Sequence, residues 1–268
     1  MFRNSPASKA SKNGQILDRR AVLKAAGTAS LSLLLPTQQL LALSDGEVPV
    51  RAIAFDGFPI FDPRSVLATA NGAFPDQPDL GQAWFAKIFA YTWLRTSGKR
   101  YSDFMTVAGQ ALDATLATRG LTMGGDHRAE MLGAWMSLKL WPDVEPTLER
   151  LDAGGIRFCF LSNLTEEMLR TNARSCGMEG AFDYLSTDRV EAFKPAPRAY
   201  QMGVDHFGLR KDEIAFCAFA AWDAAGASWF GYPTMWINRL GQPPEELGAA
   251  APVAQDRSIE VLTRVIPA

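Results

Sequence analysis

The stretch AIAFDGFPIFDPRSV, residues 52–66, sets the fold, because a short apolar run, Ala52–Phe55, ends in an acid and a loop of turn residues. Further apolar runs of similar length follow at 156–161, 184–186, 214–219 and 234–237. Short, continuously apolar strands that alternate with helices are typical of a parallel sheet covered by helices on both faces. The sequence therefore predicts a doubly wound, Rossmann-like α/β core.

The segments between these runs show the spacing of helices, and each ends just before a glycine. We expect helices at 146–153, 165–176, 197–207 and 223–230. Residues 68–140 break the alternation, since Trp84, Ile88 and Tyr91 follow helical spacing and no strand pattern is evident there. We therefore predict a core formed by 48–67 and 141–268, with an all-helical cap inserted at 68–140.

Residues 1–47 do not have the pattern of a globular domain. The pair Arg19-Arg20 follows a polar, basic region and precedes an apolar run at 25–35, which resembles a twin-arginine export signal. An amphipathic helix or an uncleaved anchor is the alternative, although the run is shorter than the ~20 residues of a spanning helix. The signal predicts delivery to the periplasm, transient membrane contact and cleavage between 42 and 45.

The composition limits the classes of partner. The chain has 27 Lys and Arg and 29 Asp and Glu. Residues 1–47 contain six of the basic and three of the acidic residues, so the remainder has 21 basic and 26 acidic residues and a net charge near −5. That balance argues against a nucleic-acid surface but permits an anionic substrate. With two histidines and no C-x-x-C among three cysteines, a histidine-based metal site or a redox pair is not expected, and Cys159 and Cys217 fit buried thiols.

Reactive side chains follow four of the predicted strands. Asp56 ends the first, Ser162 and Asn163 end the second, Lys194 follows the third and Asp223 follows the fourth. Each has an ordinary alternative explanation, as a turn or helix cap or as a solvated lysine. Because ligands of open α/β sheets bind beyond the carboxyl ends of the strands, the set in this order predicts one catalytic crevice.

This order of motifs resembles the haloacid dehalogenase superfamily, and in particular its L-2-haloacid dehalogenase (type II) branch. The stretches that carry the resemblance are AFDGFPIFDPRSV at 54–66, YTWLR at 91–95, RYSDF at 100–104, LSN at 161–163, KPAPRAY at 194–200 and AWDAAGASWFGYPTMWINR at 221–239. The resemblance runs through nearly all of residues 50–240.

The resemblance implies hydrolytic dehalogenation of small (S)-2-haloalkanoic acids to 2-hydroxyalkanoic acids. Asp56 would attack C2 and form an ester that water then cleaves. Lys194 would keep Asp56 ionised, and Ser162 and Asn163 would hold the substrate carboxylate or a nearby water. Asp223 would pair with Lys194 or position the hydrolytic water.

The resemblance also suggests which residues surround the substrate. Phe58, Phe104 and Trp222 would form apolar walls, and Tyr200 and the position of Phe85 would contribute to substrate binding. Phosphatases of the superfamily have a second acid at the position of Phe58, and this acid helps to bind a magnesium ion, which needs oxygen ligands. Phe58 has no side-chain oxygen and cannot bind such an ion. The resemblance therefore implies that the chain uses neither a metal nor a cofactor.

Several residues depart from the branch pattern. Phe85 falls where the family has a halide-associated arginine, Pro59-Ile60 replaces a G-T-L, and Ala218 and Ala220 replace a serine and an asparagine. A dehalogenase-like exported protein with weak, altered or no dehalogenase activity is therefore the alternative. The expected partner is a small 2-haloacid, and an apolar cap helix would suit a homodimer.

Overall fold

The computed structural model describes residues 49–266 of the chain. The predicted export signal, with Arg19 and Arg20, lies outside these residues. Within them, no helix is both long and apolar enough to cross a membrane.

The described chain contains two sheets. The strands are β1 (Ala52–Phe55), β2 (Phe61–Asp62), β3 (Lys139–Leu140), β4 (Arg157–Ser162), β5 (Asp183–Ser186), β6 (Ile214–Ala218), β7 (Thr234–Ile237) and β8 (Ala254–Asp256). Six of them pair in parallel in the order β5-β4-β1-β6-β7-β8, whereas β2 and β3 form a short antiparallel ribbon. The predicted Rossmann-like α/β fold is therefore confirmed.

Eight α-helices accompany the strands. They are α1 (Arg64–Ala73), α2 (Leu80–Ser97), α3 (Phe104–Thr118), α4 (Gly125–Gly133), α5 (Val144–Ala153), α6 (Glu166–Ser175), α7 (Pro197–Phe207) and α8 (Ala221–Phe230). Short 3-10 turns lie at 134–136, 187–190, 211–213 and 259–265.

Local sequence explains where the core helices begin and end. The Thr165 hydroxyl caps α6 by accepting a hydrogen bond from the Met168 N–H at 3.1 Å. Helix α7 starts at Pro197 and ends at Phe207, and the next residue, Gly208, caps it with a φ of +63°, a conformation that glycine adopts without strain. These signals are local, which is why the helices were predictable to within a few residues.

Three features differ from the sequence-based expectations. Helix α1 begins at Arg64, inside the segment predicted as core, and β3 lies within the predicted all-helical 68–140. The edge strand β8 was not predicted. Two-residue β3 is too short to show a period, and β8 is polar and largely exposed, so neither has the apolar run that identifies a buried strand.

Strand β1 lies at the centre of the sheet and is completely buried. Ile53 and Phe55 point into an apolar cluster that continues into the helices of 64–136, where it includes Trp84, Phe104 and Trp135. Ala52 and Ala54 point to the other face, where α7 and α8 pack. The inserted helices and the sheet therefore share one core, which holds the insertion over the carboxyl ends of the strands.

Candidate active site

Asp56 lies at the carboxyl end of β1. Its N–H donates to the Cys217 carbonyl at 2.9 Å and extends the pairing with β6 by one residue. The Phe58 N–H donates to Asp56 Oδ2 at 3.3 Å. The central position of β1 and this backbone pairing thus fix the Asp56 carboxylate at the carboxyl end of the strand.

Lys194 joins two carboxylates that the sequence places far apart. Its Nζ lies 2.7 Å from Asp56 Oδ1 and 2.6 Å from Asp223 Oδ2, and its side chain is only 1% exposed. Burial lowers the pKa of the Lys194 ammonium, but attraction by Asp223 and Asp56 outweighs burial and raises that pKa. Lys194 is therefore a cation at neutral pH.

Asp223 is buried in the first turn of α8, and its second oxygen is also bonded. The Tyr200 hydroxyl donates to Asp223 Oδ1 at 2.7 Å. Burial raises the pKa of the Asp223 carboxyl, Lys194 opposes the rise and Asp56 adds to it, so that the pKa is about 6. Asp223 is thus ionised at neutral pH but can accept a proton more readily than an ordinary aspartate.

The end of β4 contributes polar groups beside Asp56, Lys194 and Asp223. The Lys194 N–H donates to Asn163 Oδ1 at 2.9 Å, and the Ser162 hydroxyl oxygen accepts from the Leu164 N–H at 3.2 Å. Asn163 Nδ2 is buried and has no hydrogen-bond partner among the described residues. An unpaired buried donor is costly, so this amide favours an acceptor supplied by a ligand.

A cavity of about 150 Å³ opens between the strand ends and the inserted helices. Its polar lining consists of Asp56, Ser162, Asn163 and Asp223. The rest of its lining is apolar and largely aromatic: Phe58, Phe85, Phe89, Phe104, Leu164, Phe219, Ala220 and Trp222. The cavity therefore suits a small molecule with one polar end and an apolar body.

The aromatic residues support one another. The Phe58 ring centroid lies 5.8 Å from that of Phe85 and 5.7 Å from that of Phe219. Phe85 also stacks on Trp135, which is completely buried, at a centroid distance of 5.9 Å. These contacts fix the rings, because aromatic pairs at such distances attract beyond the effect of burial alone.

Two residues hold the loop that follows Asp56. Trp141 Nε1 donates to the Phe58 carbonyl at 2.9 Å, and the Arg239 guanidinium donates to the Pro59 carbonyl at 2.7 Å. Arg239 is itself anchored by an ion pair with Asp143 at 2.7 Å. The sequence does not predict these contacts, because no local pattern indicates which backbone carbonyl a distant side chain such as Arg239 reaches.

The structure brings most of the predicted site residues together. Eight of them line the cavity: Asp56, Ser162, Asn163, Asp223, Phe58, Phe85, Phe104 and Trp222. Lys194 and Tyr200 lie behind the carboxylates instead. Tyr200 was expected to bind substrate, but its hydroxyl is committed to Asp223, so its direct role is to position that carboxylate.

Some lining residues were not predicted. Phe89 lies one helical turn after Phe85 on α2, a spacing that could have indicated it, whereas Phe219 lies in the turn between β6 and α8. Residues 49–266 contain no cluster of three or more His, Cys, Asp or Glu side chains placed to hold a metal ion.

Comparison with known proteins gives consistent matches. A family model for haloacid dehalogenase-like hydrolases matches residues 65–231, more than half of the chain. The (S)-2-haloacid dehalogenase of Pseudomonas sp. (strain YL) is 34% identical over 202 residues, which cover 74% of this chain and 87% of that protein. Haloacetate dehalogenase H-2 of Moraxella sp. (strain B) is 33% identical over 202 residues, covering 74% and 90%.

Solved structures agree. A crystal structure of an L-2-haloacid dehalogenase is 36% identical, with a TM-score of 0.78 and coverage of 82% of this chain and 100% of that one. The L-2-haloacid dehalogenase of Xanthobacter autotrophicus is 29% identical, with a TM-score of 0.74 and coverage of 81% and 98%. The chain belongs to the haloacid dehalogenase-like hydrolase family.

Proposed function

We propose that this protein hydrolyses the carbon–halogen bond of small (S)-2-haloalkanoic acids and releases halide and a 2-hydroxyalkanoic acid. The observation that carries the proposal is the Asp56 carboxylate, which faces an apolar cavity while Lys194 binds it from behind at 2.7 Å. A carboxylate that is paired with a buried ammonium and faces a cavity where little water competes is suited to attack carbon. The names of the relatives from Pseudomonas and Moraxella support this reaction class.

In the first step, an oxygen of Asp56 attacks C2 from the side opposite the halogen. The new C–O bond forms as the C–halogen bond breaks, the electron pair leaves with the halide, and C2 inverts. Oδ2 is the better nucleophile, because its contact with the Phe58 N–H is long at 3.3 Å, whereas Oδ1 is bound to Lys194. A structure of the Xanthobacter enzyme with chloropropionic acid covalently bound, 28% identical, supports a covalent route.

In the second step, water attacks the carbonyl carbon of the Asp56 ester. Asp223 is the group placed to take the proton of that water, since its carboxylate lines the cavity and its pKa is raised to about 6. The bond between the carbonyl carbon and the product oxygen then breaks, and that oxygen, originally of Asp56, takes the proton from Asp223 to become the hydroxyl of the product. Water replaces that oxygen on the carboxylate, which restores the enzyme.

The carboxylate of the substrate has suitable donors at the end of β4. Asn163 Nδ2 has no partner among the described residues, and the Ser162 hydroxyl lies beside it in the lining. Two donors next to Asp56 would orient an acid with C2 facing the nucleophile. A haloalkane without a carboxylate would leave these donors unpaired, so we expect it to be a poor substrate.

We also propose that the protein is exported to the periplasm by the twin-arginine route. The support is the Arg19-Arg20 pair ahead of a short apolar run. Replacing both arginines by lysine should leave the precursor in the cytoplasm, as measured by cell fractionation. Unchanged periplasmic delivery of the double-lysine variant would contradict the proposal.

Halide release from (S)-2-chloropropionate and (S)-2-bromopropionate tests the proposed reaction. Purified protein should release halide and form (R)-lactate, and chelator treatment should leave the rate unchanged, because Asp56 and Lys194 act without a metal. The Asp56→Asn variant is the control, since it keeps the size of the side chain and loses the charge. Absence of halide release from both acids, or a strict requirement for Mg²⁺, would reject the proposed reaction.

A further inference from the structure

We infer that Phe85 is the specificity-determining residue for the leaving group, and that it directs this site toward large, weakly hydrated leaving halides, bromide and iodide, over chloride and fluoride. The inference rests on the proposed dehalogenation. It concerns the wall of the cavity that faces the nucleophile.

The geometry of displacement places the leaving halogen at that wall. Asp56 lies on the floor of the cavity, at the strand ends, whereas Phe85 and Phe89 of α2 and Phe104 of α3 enter the lining from the inserted helices. In-line attack by Asp56 puts the halogen on the opposite side of C2. The departing halide therefore moves toward the inserted helices and meets aromatic rings.

The wall offers no positive charge. Among the residues of 49–266 that line the cavity, there is no lysine, arginine or histidine. The Lys194 ammonium lies behind the carboxylates, where it is shared between Asp56 and Asp223 at 2.7 and 2.6 Å. An anion that forms at the wall therefore has no cation to pair with, while two carboxylates lie on the other side of the cavity.

Transfer of an unpaired anion from water to an apolar site is costly, and the cost rises as the ion becomes smaller. Chloride and fluoride are thus penalised more than bromide and iodide. The positive edges of aromatic rings give a partial, non-directional compensation that suits a large, polarisable ion. The wall therefore selects by the size and hydration of the leaving halide.

Phe85 is held at this wall by the aromatic rings that surround it. Its centroid lies 5.0 Å from that of Phe89, 5.8 Å from that of Phe58 and 5.9 Å from that of Trp135. Phe85 is only half-buried, so a longer polar side chain at this position can be accommodated. A guanidinium there would reach the wall and pair with the halide.

The test compares the full-length protein with Phe85→Arg and with Phe85→Met, an uncharged side chain of similar length. The kcat/KM for halide release is measured with (S)-2-bromopropionate and (S)-2-chloropropionate. Phe85→Arg should lower the bromide-to-chloride ratio by about tenfold, since single electrostatic contacts change rates by this much or more, whereas Phe85→Met should keep the ratio within about threefold of the starting value. Equal lowering by both variants, or no lowering by Phe85→Arg, would overturn the inference.

A second measurement does not depend on turnover. Chloride NMR line broadening reports the binding of free chloride, and it should increase for Phe85→Arg over both the unchanged protein and Phe85→Met. Absence of this gain would overturn the inference whatever the activity. If none of the three proteins released halide but Phe85→Arg still gained chloride binding, the proposed reaction would be rejected. The inference that residue 85 faces the anion site would be supported.

Discussion

Lys194 is buried with its ammonium between the carboxylates of Asp56 and Asp223, at 2.7 and 2.6 Å. Two carboxylates this close to one another repel, and the single ammonium between them offsets that repulsion in a buried position. In the proposed mechanism, one residue thereby supports both the nucleophile of the first step, Asp56, and the proton acceptor of the second, Asp223.

Lys194→Met should remove activity and destabilise the fold. Loss of one partner leaves buried charges unpaired, which costs about 3–5 kcal/mol of unfolding free energy. Urea unfolding and halide release measure the two effects. Lys139→Met is the control because Lys139 is exposed, and it should change neither quantity. Normal stability and activity of Lys194→Met would contradict the central role of the ammonium.

The titration of Asp223 predicts the pH dependence of turnover. Burial raises the pKa of this carboxyl to about 6, so the fraction able to accept a proton falls as the pH drops through that value. The kcat should therefore decline toward acid. In the ester intermediate Asp56 carries no charge and no longer raises the Asp223 pKa, so the midpoint should lie below pH 6. Single-turnover rates of ester hydrolysis as a function of pH measure this. A rate that stays flat from pH 7 down to about pH 3, below the ordinary aspartate pKa, would contradict the role of Asp223 as a base.

At the scale of elements, the loop after β1 is held from two sides. Trp141 follows β3 and donates to the Phe58 carbonyl, while Arg239 follows β7 and donates to the Pro59 carbonyl. Arg239 also lies over the Trp141 ring, 4.8 Å from its centroid. Hydrogen bonds thus connect the loop after Asp56 both to the segment after β3 and to the segment after β7.

Trp141→Phe should loosen this loop while keeping an aromatic ring under Arg239. The Phe58 carbonyl loses a buried donor, so we expect a loss of about 1–3 kcal/mol in unfolding free energy and a fall in kcat larger than the change in KM. Trp229→Phe is the matched control, since Trp229 is 56% exposed. Equal effects of the two substitutions would show that the indole hydrogen bond does not position the loop.

A second connection joins α2 to the segment that carries Lys194. The Thr96 hydroxyl oxygen accepts from the Phe193 N–H at 3.1 Å, and the neighbouring Lys194 N–H donates to Asn163. Tyr101 packs on Phe193 with ring centroids 4.9 Å apart. The inserted helices therefore help to set the position of the lysine backbone.

Thr96→Val keeps the shape of the side chain and removes the acceptor. We expect kcat to fall by about threefold to tenfold with little change in KM, because loss of about 1 kcal/mol at one hydrogen bond acts through the placement of Lys194. Steady-state kinetics measure kcat and KM separately. Thr118→Val is the control, since the Thr118 hydroxyl bonds only within its own helix. An unchanged kcat in Thr96→Val would exclude this coupling.

At the scale of the whole molecule, the fold was predictable because its signals are local. Strands β1 and β7 and helix α7 have the predicted bounds, since continuous apolar runs, prolines and glycines mark them. The strand ends that carry Asp56 and Ser162, and the helix start after β6 that carries Asp223, followed from the same runs. The polar edge strand β8 has no such signal and was missed.

The interior of the site was less predictable, because it depends on contacts between distant segments. The separation between Asp56 and Lys194 is 138 residues along the chain, and that between Phe58 and Trp141 is 83. Motif order indicated that Lys194 would reach Asp56. Nothing in the sequence indicated that Tyr200 would bond to Asp223 or that Phe219 would join the aromatic lining, whereas Phe89 could have been inferred from its position one helical turn after Phe85.

The proposed function depends on one chemical event, formation of an ester on Asp56, and oxygen-isotope labelling tests it most directly. Excess enzyme is mixed with (S)-2-bromopropionate in water enriched in the heavy oxygen isotope, so that each active site turns over once. The proposed mechanism predicts unlabelled lactate and a labelled Asp56 peptide by mass spectrometry, because the product oxygen comes from the carboxylate and water refills it. Labelled lactate in the first turnover, with Asp56 unlabelled, would show that water attacks C2 directly and would contradict the covalent mechanism.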